Sequence, residues 1–183
     1  MLNLASKLRR DLLGYYFANP STSHYLRELA GILNADPANL SRELMRLEGE
    51  GLFASERRGN QKHFRLNKQY PLYHEVRRIV AKTIGVQSQL RAALARIAGI
   101  EEAYLYGSFA KDQQDESSDI DVLIIGEPET GNLEECLLPL ERRLRREINL
   151  TLLSREELEA RFREKDPFLT DVWKNKKINL LVI

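Results

Sequence analysis

The chain has 183 residues, of which 43% are apolar and 30% are charged, with 10 Gly and 6 Pro. This composition is typical of globular proteins and excludes disordered, collagen-like and fibrous classes. The longest apolar runs, such as residues 122–125, are far below the roughly 18 residues of a membrane-spanning helix, so we expect no membrane segment. The first residues lack the apolar core of a secretory signal, and Cys136 is the single cysteine. Both features predict a cytoplasmic protein.

Charge divides the chain into a basic and an acidic part. Residues 1–99 hold 16 Lys and Arg against 8 Asp and Glu, a net charge of +8, whereas residues 100–183 hold 12 against 19, a net charge of −7. Scattered surface charge also produces such imbalances, but this boundary coincides with a change from helical to strand periodicity. The asymmetry therefore predicts two parts with different partners.

The basic part begins with helices. Apolar residues at helical spacing predict helices over residues 2–17, 25–33 and 38–50, with residues 21–23 as N-cap candidates for the second helix and Gly51 after the third. Residues 52–56 and 62–67 then alternate like two strands around Arg57-Arg58-Gly59-Asn60. This order of helix, helix, turn, helix and basic hairpin resembles the winged helix-turn-helix domains of bacterial regulators of the ArsR and MarR kind.

The resemblance implies double-stranded DNA as a partner of residues 1–70. On the third helix, Ser41, Arg42 and Arg46 would face the major groove, because a helix fits that groove and arginine reaches guanine edges there. At the hairpin, Arg57, Arg58 and Lys62 would follow the phosphate backbone. A helical module for dimerisation or protein contact is the alternative. The apolar pattern of residues 71–98 predicts a helical connector. Its apolar stripes would pack either on the same chain or on the second copy in a homodimer.

From residue 99 the period changes to that of strands. Strands are predicted over residues 103–106, 119–125, 148–153 and 178–183, and helices over residues 109–114, 132–146 and 155–165. Residues 115–118 are a predicted loop, and Ser154 with Glu157 forms a predicted capping box for the last helix.

A glycine-serine pair and two aspartates form the central motif of the acidic part. Gly107-Ser108 is followed, after ten residues, by Asp119-x-Asp121. Residues i and i+2 of a strand share a face, so the two aspartates can bind the same divalent ion. Gly107 lets the backbone approach a ligand closely, and Ser108 opens a helix whose free amides suit phosphate. An isolated Asp-x-Asp is usually a solvated strand face, but the joint pattern predicts a site for a metal-nucleotide complex.

The same residues carry a second resemblance. Tyr106-Gly107-Ser108 and Asp119-Ile120-Asp121-Val122 match the hG[GS] and [DE]h[DE]h signatures of minimal nucleotidyltransferases of the DNA polymerase β superfamily, which residues 99–183 resemble. The resemblance implies a small α/β fold with a mixed sheet, so the whole chain would be α+β: winged helix, connector and this domain. It also implies Mg²⁺ or Mn²⁺ on the two carboxylates, an NTP whose phosphates touch Ser108, and a third carboxylate on a later strand. Lys111 would add positive charge near the phosphates or lie at the surface.

The third carboxylate is where the sequence departs from this family. Asn149 stands at the expected position, and asparagine is a poor base and a neutral ligand. Glu147, two residues earlier on the same strand face, is the catalytic substitute that the pattern offers, and the alternative is that it is simply the last solvated residue of the preceding arginine-rich helix. The other candidates are Glu134, Glu135 and Asp171. Three functions remain open. They are a DNA-binding transcriptional regulator that binds Mg-NTP, an antitoxin-like nucleotidyltransferase that uses the winged helix for docking, and a degenerate nucleotide sensor.

Overall fold

The computed structural model describes residues 4–111, 113–114 and 118–181. The chain forms two compact units, Met1–Gly85 and Val86–Ile183. Most of the predicted loop 115–118, the start of the first predicted helix and the end of the last predicted strand lie outside the described residues. None of the helices described is long and apolar enough to cross a membrane.

The first unit combines helices with a small antiparallel sheet. Its elements are α1 (Lys7–Ala18), β1 (His24–Tyr25), α2 (Leu26–Leu33), α3 (Pro37–Gly49), β2 (Phe53–Arg58), β3 (Gln61–Leu66) and α4 (Tyr73–Thr83). The sheet has the order β1-β3-β2, with both outer strands antiparallel to β3. Strand β1 was not predicted. The N-cap assignment at residues 21–23 is wrong, because β1 follows that segment and Tyr25 is the N-cap residue of α2.

The core of the first unit surrounds α1. Leu12, Leu13 and Tyr16 are fully buried, and the Tyr16 hydroxyl donates a hydrogen bond to the Phe64 carbonyl at 2.8 Å. The apolar stripe of α4 belongs to the same core. Val76 and Val80 of the first predicted connector stripe therefore pack on their own chain, whereas Leu72 and Ile79 of that stripe are 54% and 45% exposed.

Helix α3 is fixed at its start and on its inner face. The side chain of Asp36 accepts a hydrogen bond from the Asn39 amide at 2.8 Å, and Pro37 is the first helical residue. Both features favour helix initiation at this point. On the inner face, Glu43 forms an ion pair with Arg9, which is only 2% exposed. Because these contacts fix the rotation of α3, Arg42 and Arg46 are left on its exposed side.

The second unit is built on a mixed sheet. Its elements are α5 (Val86–Leu94), β4 (Ile100–Leu105), α6 (Gly107–Lys111), β5 (Ile120–Gly126), α7 (Thr130–Leu144), β6 (Ile148–Leu153), α8 (Arg155–Arg163), α9 (Pro167–Lys174) and β7 (Ile178–Asn179). The strand order is β6-β5-β4-β7. Strand β5 runs parallel to β6 and antiparallel to β4, and β4 is antiparallel to β7. The expected mixed sheet is confirmed.

Strand β5 is the buried centre of this sheet. On one face, Leu123 and Ile125 pack with apolar residues of α8 and α9, among them Leu158 and Leu169. Helix α9 was not predicted, although Asp166 caps it and Pro167 begins it. The predicted capping box at the start of α8 is confirmed. The predicted connector is thus divided between the units, because α5 belongs to the second unit and buries Leu90 there.

Candidate functional site

The two aspartates lie at the beginning of β5. Asp119 directly precedes the strand, and Asp121 is its second residue, level with Asn149 of the parallel neighbour β6. The Asn149 side-chain amide donates a hydrogen bond to Asp119 Oδ2 at 3.2 Å. The family resemblance implies a third carboxylate at this position, and the structure has the side-chain amide of Asn149 there instead.

The surroundings of Asp121 oppose its charged form. Burial raises the pKa of Asp121 above its ordinary value; a hydrogen bond from Asn149 lowers it, and the charge of Asp119 raises it further. A raised carboxyl pKa means that the surroundings oppose the charged form. A cation between the two carboxylates would remove this opposition.

The glycine of the motif is in direct contact with this pair. Gly107 has φ +67°, and a β-carbon built on it would lie 2.1 Å from Asp121 Oδ2. Only glycine combines this backbone conformation with so close an approach. Ser108 follows in α6, and Lys111 ends that helix. The structure thus brings Gly107 onto Asp121, which the spacing of the motif alone could not show.

Glu147 lies one residue before β6 and is exposed. Its carbonyl accepts a hydrogen bond from the Ile120 amide at 2.9 Å, so its backbone adjoins the start of β5. Among the described residues, however, no group of three or more His, Cys, Asp or Glu side chains could hold a metal ion by itself. The structure therefore does not assemble Glu147, Glu134, Glu135 or Asp171 into such a group with the two aspartates.

The donor set nevertheless fits one kind of metal site. Two carboxylates and an amide are too few to enclose a divalent ion, but Mg²⁺ is commonly held by one or two carboxylates together with the phosphates of a nucleotide. The raised pKa of Asp121 and the close approach of Gly107 agree with a site that is completed by its ligand.

An aromatic wall, formed by Tyr106 and Phe168, reaches Asp121 through Tyr106, whose amide donates a hydrogen bond to the Asp121 carbonyl at 3.0 Å. The ring of Tyr106 meets the ring of Phe168 edge to face at 5.6 Å, and the Tyr106 hydroxyl is 3.5 Å from Thr151 Oγ1. Burial raises the pKa of Tyr106, Thr151 lowers it and the charge of Asp121 raises it. Sequence reasoning missed this wall because Phe168 belongs to the unpredicted helix α9. The signal that could have found it is the Asp166-Pro167 helix start.

In the first unit, the predicted basic residues are exposed but mostly paired. Arg46 Nε is 3.2 Å from Glu50, Arg58 Nε is 2.6 Å from Glu56, and Lys62 Nζ is 2.6 Å from Glu48. The guanidinium of Arg42 bonds the neutral amide of Asn39, and Arg57 is exposed in β2. Acidic neighbours therefore reduce the local positive charge of this surface.

Helix α3 also borders a groove that the sequence did not reveal. Its volume is about 410 Å³, and its walls include Ser41 and Met45 of α3, Arg27 of α2, and Lys62 and Phe64 of β3. Met45 is 55% exposed. The exposed side of α3 therefore presents an apolar side chain beside its arginines.

Comparisons with known proteins place the second unit in context. Residues 88–165 match the family model described as "Polymerase beta, Nucleotidyltransferase". None of the curated proteins matches the chain. The solved structures to which the chain is similar include these two. One is the AntR antimony-specific transcriptional repressor, at 25% identity over 42% of this chain and 65% of that chain, with a TM-score of 0.34.

The other is a candidate nucleotidyltransferase from Sulfolobus solfataricus, at 20% identity over 40% of this chain and 68% of that chain, with a TM-score of 0.27. The chain thus spans less than two thirds of the length of the AntR repressor. Both TM-scores are low, so neither likeness supports a conclusion. The match of the family model has the stronger basis, because it includes Gly107, Ser108, Asp119 and Asp121. The chain carries a polymerase beta nucleotidyltransferase domain at residues 88–165.

Proposed function

We propose that this domain binds an NTP together with Mg²⁺ or Mn²⁺, held by Asp119 and Asp121. The observation that carries the proposal is the contact between Gly107 and Asp121, since it joins the two halves of the motif to which the family resemblance gives phosphate and metal binding. The match to a nucleotidyltransferase family supports the same ligand. The raised pKa of Asp121 agrees with this proposal, since a bound cation would offset the cost that burial and the charge of Asp119 place on the charged carboxylate.

Each residue would have a distinct role with the nucleotide bound. The metal would neutralise charge on the triphosphate and polarise its phosphoryl groups. Asp119 and Asp121 orient that ion, Ser108 donates a hydrogen bond to a phosphate oxygen, and Lys111 adds positive charge. Transfer of a nucleoside monophosphate would also require a base or a second ion at the attacking hydroxyl, and Asn149 supplies neither.

We therefore expect Mg-NTP binding with weak or absent transfer. Calorimetry should detect binding by the wild type and none by the Asp119→Ala, Asp121→Ala double variant, with Glu159→Ala as an exposed acidic control. With labelled ATP and candidate acceptors, Asn149→Asp should raise the transfer rate, because it restores the third carboxylate. Strong wild-type transfer that survives Glu147→Gln would contradict this reading and favour a true enzyme with another base.

We propose as a second function that the first unit is a winged helix-turn-helix that binds double-stranded DNA. Three observations support it: the element order of α1 to β3, the sheet order β1-β3-β2, and the exposure of Arg42 and Arg46 on α3. In this arrangement α3 enters the major groove with Ser41 beside the arginines, and Arg57, Arg58 and Lys62 of the hairpin contact phosphates. The whole chain would then be a cytoplasmic, DNA-binding transcriptional regulator with an Mg-NTP-binding domain.

Substitutions on α3 and the hairpin should have different effects on DNA affinity. Arg42→Ala or Arg46→Ala should cost about 1–3 kcal/mol of binding if the side chain contacts a base, while Arg57→Ala should mainly reduce the salt dependence. Gel-shift titrations at two salt concentrations measure both effects. Arg78→Ala is the matched control, because Arg78 is exposed on α4 and pairs with Glu75.

The DNA experiment also distinguishes the remaining alternatives. No binding to any genomic fragment at low salt would exclude the regulator and favour a docking role for the first unit. We further propose a homodimer on DNA, because one winged helix contacts only a short site and paired half-sites lie about 34 Å apart. Light scattering of the complex measures the number of chains. A single chain on each DNA fragment would exclude the dimer.

A further inference from the structure

A buried arginine follows helix α7 immediately before β6. Arg146 is 7% exposed, whereas its neighbours Arg145 and Glu147 are both exposed. Arg145 has φ +55°, a left-handed conformation that ends α7 and turns the next residue inward. Burying a guanidinium is costly unless its hydrogen-bond donors find partners. The burial of Arg146 therefore needs a structural reason, whereas an exposed arginine would need none.

Glu141 accepts hydrogen bonds from two backbone amides of this segment. The Glu141 carbonyl accepts a hydrogen bond from the Arg146 amide at 3.3 Å, and the Glu141 carboxylate accepts one from the Ile148 amide at 2.8 Å. The segment between α7 and β6 is therefore tied to the last turns of α7, which fixes where the Arg146 side chain begins.

The side chain contacts both segments that carry the candidate site. Arg146 Nη1 donates a hydrogen bond to the Ser118 carbonyl at 2.8 Å, and Ser118 directly precedes Asp119. The guanidinium carbon lies 5.9 Å from the ring centre of Phe109, two residues after Gly107. Arginine suits this position because its planar group can stack on a ring while its edge donates hydrogen bonds.

We propose that Arg146 is a positioning residue for the metal-nucleotide site. It links the segment of Gly107 to the segment of Asp119 from a third element, and so keeps Asp121 under Gly107 and Asp119 beside Asn149. The inference rests on the proposed Mg-NTP binding. A direct contact between Arg146 and the phosphates is not part of it, because the side chain is only 7% exposed.

The test compares Arg146→Ala, Arg146→Lys and the control Arg142→Ala, which removes an exposed arginine from the last turn of α7, four residues before Arg146. Hydrogen exchange of peptides that contain residues 118–121, in the metal-free full chain, reports the positioning alone. Calorimetry with the Mg²⁺ complex of the NTP that the wild type binds most tightly reports its consequence. We expect faster exchange in these peptides and about tenfold weaker affinity for Arg146→Ala, as for other residues that orient metal ligands.

Further readouts separate positioning from general stability. Arg146→Lys should be intermediate, Arg142→Ala should match the wild type, and added guanidinium ion should restore affinity to Arg146→Ala but not to Asp121→Asn. Exchange in β6 should stay at the wild-type rate. Unchanged exchange at residues 118–121, or faster exchange throughout β6 as well, would overturn the proposal. If the wild type binds none of the four NTPs, the proposed function fails, and the exchange data alone decide whether Arg146 positions Asp119.

Discussion

Replacement of Gly107 by alanine is expected to abolish tight Mg-NTP binding and to lower the stability of the metal-free protein. The new β-carbon would lie 2.1 Å from Asp121 Oδ2, so the carboxylate must leave its position. An L-residue in the left-handed conformation costs a further 1–2 kcal/mol, roughly. For a unit of the size of Val86–Ile183, each kcal/mol lowers Tm by about 4–8 °C. Calorimetry and thermal unfolding of the same preparation measure the two effects.

Gly131→Ala is the matched control for this substitution. Gly131 lies in the first turn of α7, and no atom lies within 4 Å of a β-carbon built there. This variant should bind Mg-NTP like the wild type. Its Tm should be equal or slightly higher, because alanine is more favourable than glycine within a helix. An unchanged affinity for Gly107→Ala would show that the contact with Asp121 is not needed for binding.

Asp121→Asn should separate binding from stability. Mg-NTP affinity should fall by about a hundredfold or more, because Asp121 is a proposed ligand and the loss of a residue that only orients a ligand already costs up to about that much. Burial and the charge of Asp119 raise the pKa of Asp121 in the folded protein, so the folded state holds this proton more tightly than the unfolded state does. The resulting stabilisation is complete below the ordinary pKa of about 3.9 and is lost as the pH rises through the raised pKa.

The asparagine variant carries no charge at this position, so its stability does not fall as the pH rises through the raised pKa of Asp121. In metal-free buffer at pH 7 we expect its Tm to be equal to or above that of the wild type, with the difference disappearing below about pH 4, near the ordinary pKa. Thermal unfolding across this pH range is the measurement. A variant that is less stable than the wild type at pH 7 would show that the fold favours the charged carboxylate even without a metal.

The sequence predicted those elements whose signals are local. Strand β6 begins and ends where the alternation predicts, and α3 agrees to within a residue because Asp36, Pro37 and Gly51 mark its limits. Strand β1 was missed because its two residues acquire a strand conformation only by pairing with Phe64 and His63. Such a short strand has no periodicity of its own.

Part of the candidate site was predictable because its signal is also local in the sequence. The spacing of Gly107-Ser108 and Asp119-x-Asp121 is a local pattern, and it identified the residues that meet at the start of β5. The burial of Arg146 and the wall of Tyr106 and Phe168 depend on the packing of distant segments. The sequence has four arginines between residues 142 and 146, and their pattern alone does not show that Arg146 is the buried one.

The position of β5 has a consequence for how the protein would lose its ligand on heating. This strand is paired on both sides, and the face that carries Asp119 and Asp121 continues into Leu123 and Ile125 of the apolar core. Local opening begins where backbone hydrogen bonds are exposed and buried contacts are few, and β5 has neither property. Asp121, the second residue of this strand, would therefore keep its place until the whole unit melts, so the loss of its contribution to binding on heating should coincide with that melting rather than precede it.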